Sequence, residues 1–257
     1  MSKDLLLEIG TEEVPAHVMP HLLADLKRLA GDMFAERRLA YESLRTIGTP
    51  RRAALLVTGL AERQEDVSTE TRGPSVAIAF DAEGNPTKAG AGFARGQGIE
   101  PSALIQRDGY VYASVHEKGA ETAQLLAELL PELIRAIPLP NSMRWGDLDF
   151  RFIRPIRWIV ALYGTEVVPF TITNVTSGNT SRGHRTLAPQ DFVIASPADY
   201  EAACEKAYII VDQERRRTMI TEQINEVAKS CGGTAEITPD LLEEVLYLVE
   251  YPTALSG

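Results

Sequence analysis

Arginine side chains in one stretch of this sequence are its best candidates for chemistry with a ligand. Residues 141–190 contain six arginines, at positions 144, 151, 154, 157, 182 and 185, against three acids, Asp147, Asp149 and Glu166. Six minus three gives this stretch a net charge of +3, whereas the whole chain has −10, so the remaining residues carry −13. A local basic surface can bind polyanions even on an acidic protein.

Aromatic residues alternate with these arginines in the segment RWGDLDFRFIRPIRW, residues 144–158. Guanidinium groups bind phosphate through paired hydrogen bonds and stack on bases, and aromatic rings offer further stacking surface. The loop SRGHR, residues 181–185, adds a glycine that lets a ligand approach the backbone. We therefore predict an RNA-binding surface formed by Arg144, Arg151, Arg154, Arg157, Arg182, His184 and Arg185. The alternative, which the pattern supports equally, is that the arginines form ion pairs with Asp147, Asp149 or the acidic C-terminal third.

The acidic stretch LLLEIGTEEVP, residues 5–15, is a second candidate site. Glu8, Glu12 and Glu13 could act as paired carboxylates in acid–base catalysis. Glu8 alternates with its strand neighbours, so it should face the opposite side from Leu7 and Ile9. No nucleophile or base that would complete a catalytic set follows nearby. We therefore favour a helix start, in which Thr11 lies one turn before the helix and the two carboxylates stabilise its N-terminus.

Three other patterns are better explained by structure than by a ligand. GAGFARG, residues 90–96, has arginine where a dinucleotide-binding fingerprint needs its third glycine, so we expect a small-residue helix packed closely on a neighbour. His17 and His21 have the spacing of zinc ligands, but Pro20 interrupts them, and surface histidines are expected. Residues 215–217, three arginines, should lie on a solvated, salt-bridged helix face. We predict no catalytic residue, no metal ligand and no P-loop.

The composition excludes several classes of protein. With 44% hydrophobic and 24% charged residues, the 257-residue chain resembles an ordinary globular protein. No apolar run approaches about 20 residues, so we expect no membrane-spanning helix, and we find no signal peptide. Cys204 and Cys231 form no CxxC pair, which excludes a four-cysteine zinc site and favours a reducing, cytoplasmic setting.

The apolar periodicity predicts an α+β fold, with mixed or antiparallel sheets and packed helices. Strands are expected at 5–9, twice within 43–60, at 109–119, in a 158–172 hairpin, at 192–194 and at 208–211. Helices are expected at 15–39, 88–97 and 120–136, and after Asp212 and Thr238. The chain divides into a strand–helix–hairpin part (1–71), a small-residue-rich α/β insertion (72–140), and a basic hairpin with an acidic α/β part (141–257). The first and last parts can form one domain, because strand 5–9 needs partners. The ending EYPTALSG suggests a strand with nothing after it, so we expect a fragment.

Six stretches in this order carry a resemblance to a known family: LLLEIGTEEVP, GTPRRAALLV, KAGAGFARGQGI, MRWGDLDFRFIRPIRWIVALYG, SGNTSRGHR and LLEEVLYLVEYPTAL. Together they closely resemble the N-terminal part of β-subunits of the bacterial heterotetrameric glycyl-tRNA synthetases. The resemblance covers nearly all of the chain. Family members continue into a helical phosphohydrolase-like domain and an anticodon-binding domain, before which this chain ends.

The resemblance implies a role in glycine–tRNA ligation, with tRNA(Gly) and the α-subunit as partners. ATP and magnesium would be used by the complex, whose α-subunit activates glycine, so this fragment should be non-catalytic and hold no cofactor. Its N-terminal region is similar to the editing-domain region of phenylalanyl-tRNA synthetase β-subunits, which implies a two-part module. Two alternatives stay open: a hydrolytic editing-like module that uses residues 8–13, and a docking domain for the α-subunit.

Overall fold

A computed structural model describes residues 2–146 and 149–256 of the chain. Its strands are β1 (Ser2–Thr11), β2 (Ser43–Thr49), β3 (Arg52–Ala61), β4 (Val67–Ser75), β5 (Ile105–Arg107), β6 (Tyr110–Glu117), β7 (Ile156–Tyr163), β8 (Glu166–Val167), β9 (Thr171–Ile172), β10 (Val175–Gly178), β11 (Thr180–Arg182) and β12 (Asp191–Val193). Its α-helices are α1 (Met19–Glu36), α2 (Val76–Ala79), α3 (Lys88–Gly96), α4 (Thr122–Ala136), α5 (Tyr200–Lys206), α6 (Gln213–Ser230) and α7 (Pro239–Leu246). Asp147, named above as a partner for the arginines, lies outside the described residues.

The chain forms two compact units. Unit 1 joins Met1–Glu62 to Glu121–Gly257, and unit 2 is Arg63–Ala120. The division inferred from the sequence placed its boundaries at residues 71 and 140 instead. In the structure β4 pairs with β6 inside unit 2, and α4 contributes to the core of unit 1, so the units change after Glu62 and after Ala120.

The centre of unit 1 is a seven-stranded sheet in the order β2-β3-β1-β7-β10-β9, with β8 beside β7. Its pairs are antiparallel except for β10, which runs parallel to β7. This mixed sheet, with helices packed on it, confirms the α+β class. No helix in the described ranges 2–146 and 149–256 is long and apolar enough to cross a membrane.

Strand β1 is buried on both faces, so its alternating side chains enter two different cores. Leu5, Leu7 and Ile9 pack with α1 and α4 in the larger core. Leu6 lies in the smaller core, with Trp158 and other residues of β7 and with residues of α5. Glu8 is fully buried as well. It lies on the same side of the strand as Leu6, opposite Leu7 and Ile9, as predicted. A carboxylate in such a place needs hydrogen-bonding partners, because an unpaired buried charge is costly.

Unit 2 is a three-stranded antiparallel sheet in the order β4-β6-β5, with a small core of its own. Helix α3 lies within the predicted range 88–97, and Thr87 caps it, since its hydroxyl accepts hydrogen bonds from the Ala89 and Gly90 amides. Gly90 also confirms the expected close packing, because a Cβ there would lie 2.3 Å from the Ala79 carbonyl oxygen. The stretch GAGFARG is therefore a packing helix.

Two local predictions are wrong. Thr11 does not start a helix: it is the last residue of β1, its amide donates to the Arg51 carbonyl at 2.8 Å, and α1 begins only at Met19 after a 3-10 turn at Ala16–Val18. Residues 208–211 are not a strand, although Ile209, Ile210 and Val211 are buried. Their apolar run serves the core without joining a sheet, and the Ile210 amide donates instead to the Glu250 carbonyl at 2.8 Å.

Candidate functional site

Four of the predicted RNA-binding arginines gather around the end of β1. We call Arg154, Arg157, Arg182 and Arg185 the arginine cluster. The pairing of Thr11 with Ile156 brings the start of β7 to the end of β1, which places Arg154 and Arg157 there. Arg182, at the end of β11, donates to the Arg157 carbonyl at 3.4 Å, so the 181–185 segment reaches the same place.

The acidic residues after β1 are the partners of this cluster. One carboxylate oxygen of Glu12 accepts a hydrogen bond from Arg157 at 2.8 Å, and the other accepts one from Arg185 at 2.7 Å. A second guanidinium nitrogen of Arg185 lies 2.8 Å from Glu13. Arg154 donates to the Glu13 carbonyl at 3.0 Å. These are the ion pairs of the alternative prediction, but their acids are Glu12 and Glu13 rather than Asp147, Asp149 or residues of the C-terminal third.

The two arginines on Glu12 also determine the pKa of its carboxyl group. Its partial burial raises the carboxyl pKa, but the hydrogen bond and charge of Arg185, with the charge of Arg157, outweigh burial and lower the pKa below its ordinary value. Glu12 is therefore ionised at neutral pH. Two guanidinium groups that hold one carboxylate from two sides present the geometry that would also hold a phosphate.

The other predicted residues lie elsewhere or face inward. Arg144 is 3.7 Å from Asp149, and both side chains are well exposed. Arg151 donates to Ser142, through the backbone carbonyl at 2.7 Å and the hydroxyl at 3.3 Å. His184 accepts the Thr186 and Leu187 amides on Nδ1. Burial, followed by Arg51 and Arg52, lowers the pKa of His184 despite the charge of Glu250.

Beneath the arginine cluster is a second, buried set of charges. We call Glu8, Arg51, Arg52 and Glu250 the buried charge network. The Arg52 side chain is fully buried, with Nε 3.1 Å from Glu250 and Nη1 3.6 Å from Glu8. Arg51 lies 3.4 Å from the other oxygen of Glu250, and the Thr49 hydroxyl donates to Glu250 at 2.7 Å.

Glu8 is held by three side-chain donors in the smaller core. The Trp158 indole, the Ser181 hydroxyl and the Tyr200 hydroxyl all donate to its carboxylate, that of Ser181 at 2.5 Å. The Trp158 ring also faces the guanidinium carbons of Arg51, Arg52 and Arg182, which lie 5.6, 5.4 and 5.2 Å from its centre. Trp158 therefore connects the buried charge network to the arginine cluster.

The surroundings of Glu8 argue against acid–base catalysis by residues 8–13. Glu8 is enclosed and fully hydrogen-bonded, and it faces the core while Glu12 and Glu13 lie at the surface. Burial, with the charge of Glu8, raises the pKa of Tyr200 and of the nearby Cys204 thiol, so neither is a ready nucleophile. Within residues 2–146 and 149–256, no group of three or more His, Cys, Asp or Glu side chains could hold a metal ion.

Three residues of the buried charge network, Arg51, Arg52 and Glu250, are not among the residues predicted from the sequence. Arg51 and Arg52 stand directly before the apolar run AALLV, and Glu250 stands alone within YLVEYP. A charge inside an apolar segment was the available signal, because a charged residue that is buried with its apolar neighbours almost always has a partner.

The prediction that residues 215–217 lie on a solvated helix face is wrong for Arg216. Arg215 and Arg217 form the expected surface ion pairs, with Glu205 at 2.5 Å and Glu243 at 2.6 Å. The Arg216 side chain between them is buried and donates to the carbonyls of Gly48, Ile210, Val211 and Leu246. Burial lowers its pKa to about 10. One turn of helix therefore carries two solvated arginines and one that fastens three backbone segments together.

Comparison with known proteins identifies the family. A family model described as glycyl-tRNA synthetase beta subunit matches residues 5–257. The glycine–tRNA ligase beta subunits of Desulfitobacterium hafniense (strain DSM 10664 / DCB-2) and Syntrophotalea carbinolica are 51% and 49% identical over 261 residues, which cover 100% of this chain and 38% of each relative. That of Halothermothrix orenii is 47% identical over 257 residues, 37% of its length. The chain thus spans less than two fifths of these curated relatives. The match over almost every residue confirms the resemblance carried by the six motifs, and the chain belongs to the glycyl-tRNA synthetase β-subunit family.

Proposed function

We propose that this chain is a non-catalytic part of a glycine–tRNA ligase, and that its arginine cluster contacts the phosphate backbone of tRNA(Gly). The observation that carries the proposal is the convergence of four arginines from two distant segments at the end of β1, where three of them contact residues 12–13. Their geometry is that of a carboxylate clamp, and phosphate oxygens are bound by the same guanidinium edges. The partners in the complex would be an α-subunit and tRNA(Gly), with ATP and magnesium used for glycine activation outside this chain.

Glu12 and Glu13 are competitors for the phosphate. Counting Arg154, Arg157, Arg182 and Arg185 against Glu12, Glu13 and the Arg182 partner Asp191, four minus three leaves a net charge of +1. Exposed ion pairs contribute only about 0–1 kcal/mol each, so a phosphate could displace these carboxylates at small cost. The carboxylates would then hold the arginines in position until RNA arrives.

The test is a double substitution in the full-length β subunit assembled with its α subunit. Replacing Arg182 and Arg185 by alanine should weaken tRNA(Gly) binding. The slope of log affinity against log salt should also flatten by about 0.7–0.9 per lost phosphate contact. Equilibrium binding across a salt series measures both effects.

The matched control is Arg28→Ala, which removes an equally exposed arginine paired with Asp25 and Asp32 on the surface of α1. It should leave both the affinity and the salt slope unchanged. If the double variant instead melts lower and keeps the salt slope of wild type, the cluster is a structural feature and the RNA role is wrong.

Two further features belong to the proposal. We assign unit 1 the fold of the editing-domain region of phenylalanyl-tRNA synthetase β-subunits, which its helix-covered mixed sheet supports and which a superposition of the two folds tests. We also place the protein in the cytoplasm, which its two free cysteines support, since neither is in a disulfide. Fractionation of cells that produce the full-length subunit tests the second assignment.

A further inference from the structure

The sheet of unit 2 has one covered face and one open face. Along β6, Val111 and Ala113 are buried in the small core with residues of α2 and α3. Tyr110 and Tyr112 alternate with them and point to the opposite face, where both are only half-buried. Two tyrosines two residues apart on the central strand are thus presented on a surface that the helices of unit 2 do not cover.

Each tyrosine carries an arginine on its ring. The guanidinium carbon of Arg72, on β4, lies 3.6 Å from the ring centre of Tyr110. That of Arg107, on β5, lies 4.4 Å from the ring centre of Tyr112. In the strand register Arg72 is opposite Tyr112 and Arg107 is opposite Tyr110, so each guanidinium covers the diagonal neighbour. The open face therefore has a layer of guanidinium groups stacked on a layer of aromatic rings.

The two arginines differ in how their charges are used. Arg107 is fixed by Glu70, whose carboxylate oxygens lie 2.6 and 3.4 Å from its two terminal nitrogens. Arg72 is exposed, and among residues 2–146 and 149–256 no carboxylate forms an ion pair with it. Ile105, opposite Tyr112 on the other edge strand, adds an exposed apolar side chain. The face thus combines flat stacking surfaces, an apolar contact and one available positive charge.

We propose that this face binds unpaired nucleotides of RNA. Bases stack on aromatic rings and on guanidinium planes, and a sheet with aromatic residues on its open face is a common way to bind single-stranded RNA. Arg72 would then meet a phosphate, while the fixed guanidinium of Arg107 supports a stacked base. The stacked layers distinguish this face from a surface that binds through charge alone.

The inference does not rest on the function proposed above, because it concerns unit 2 and uses none of the arginine cluster. The experiment measures fluorescence anisotropy of a labelled, unstructured single-stranded RNA of about ten nucleotides with the 257-residue chain. Replacing both Tyr110 and Tyr112 by leucine should weaken binding by about tenfold or more, since the loss of each base–aromatic stack costs a factor of about five or more. Replacing both by phenylalanine keeps the rings and should retain wild-type affinity.

A charge-matched pair of single variants separates this face from the rest of unit 2. Arg72→Gln should weaken binding and reduce its salt slope by about 0.7, the value for one contact to a single strand. Arg95→Gln removes the same charge from an exposed position on α3, away from the open face, and should leave binding unchanged. Because Arg72 is exposed, Arg72→Gln should not affect folding. It therefore tests the inference even if the double leucine variant melts at a lower temperature than wild type.

Several results would overturn the inference. Undetectable binding of the single strand would do so, as would equal losses for Arg72→Gln and Arg95→Gln. An RNA duplex of the same sequence that binds as well as the single strand would show contact with phosphates rather than with bases. In the Arg182→Ala, Arg185→Ala background the losses caused by the Tyr110, Tyr112 and Arg72 variants should be unchanged, so failure of the tRNA contact in unit 1 and failure of this inference are distinguishable.

Discussion

The carboxylate of Glu8 accepts a hydrogen bond from the Ser181 hydroxyl 2.5 Å away, across 173 positions of the sequence. Ser181 also accepts from Arg52 at 3.3 Å, so one hydroxyl connects the buried acid to the buried base. Arg52 in turn donates to the Arg182 carbonyl at 3.0 Å. The segment that carries the exposed Arg182 and Arg185 is therefore anchored through the buried charge network.

Glu250 should be among the most important residues for the stability of unit 1. Glu250→Gln leaves the buried Arg51 and Arg52 without their shared counter-charge, and the loss of one partner of a buried pair costs about 3–5 kcal/mol. Urea unfolding followed by tryptophan fluorescence measures the change. The control is Glu205→Gln, which removes the exposed partner of Arg215 and should cost about 0–1 kcal/mol. Equal effects of the two substitutions would contradict the role of burial.

The contribution of Glu250 should depend on pH. Burial raises its pKa, but Arg52, the Thr49 hydroxyl and Arg51 together bring the pKa below its ordinary value of 4.5. A lowered pKa means that the ionised form stabilises the fold, fully above the unfolded value and less as pH falls through the folded value. The difference in unfolding free energy between wild type and Glu250→Gln should stay constant at neutral pH and shrink below about pH 4.5. If the difference in unfolding free energy grew on acidification instead, the pKa of Glu250 would be raised rather than lowered in the folded state.

His184 should contribute a separate pH dependence, at higher pH. Burial and the nearby arginines lower its pKa below the ordinary 6.5, so protonation is harder in the folded state than in the unfolded chain. Stability should fall as pH decreases below about 6.5, because the unfolded state then binds the extra proton. His184→Asn keeps an acceptor for the Thr186 and Leu187 amides but does not titrate. Its unfolding free energy, measured between neutral pH and the acid transition, should lack this component.

Gly10 should be intolerant of any side chain. A Cβ there would lie 1.9 Å from the Trp158 indole, so Gly10→Ala must displace the ring that donates to Glu8. We expect a loss of about 1–3 kcal/mol, as for overpacked cores, and altered Trp158 fluorescence in a Trp145→Phe background. Gly92→Ala is the comparison, because its Cβ would meet nothing within 4 Å and alanine favours the helix. Wild-type stability of Gly10→Ala would show that the indole can move freely.

Glu12 offers the most direct test of competition at the arginine cluster. Glu12→Gln removes the acid shared by Arg157 and Arg185 and should change stability by no more than about 1 kcal/mol, since the pairs are exposed. If phosphate displaces this carboxylate, tRNA(Gly) affinity of the full complex should rise, by up to about fivefold. A fall in affinity would mean that Glu12 is needed to position the arginines for RNA.

The sequence was most informative where a pattern had one structural explanation. Glu8 alternates with Leu7 and Ile9, and its predicted side of β1 is confirmed because side chains on a strand have a strict period of two. Helices α3 and α6 begin where expected, directly after Thr87 and Asp212, whose side chains cap them, because a cap depends only on residues two or three positions away.

It was least informative where distant segments decide the outcome. The sequence around Thr11 is typical of a helix start. In the structure, however, the Thr11 amide donates a hydrogen bond to the carbonyl of Arg51 in the neighbouring turn. The apolar residues 208–211 read as a strand because burial and strand formation share one signal. The partners of Arg157 and Arg185 lie 145 and 173 positions away on Glu12, a distance that no local pattern spans.

The position of Glu250 near one end of a network that begins at Glu8 has a consequence for folding during synthesis. Strands β1, β2 and β3 are complete by residue 61, yet the acid that neutralises Arg51 and Arg52 leaves the ribosome almost 200 residues later. Until then Arg51 lacks its counter-charge and Arg52 has only Glu8, so desolvating these arginines is unfavourable. The nascent hairpin should therefore stay loosely packed, a state in which chaperones can bind its exposed apolar residues, and unit 1 should close only when Glu250 arrives.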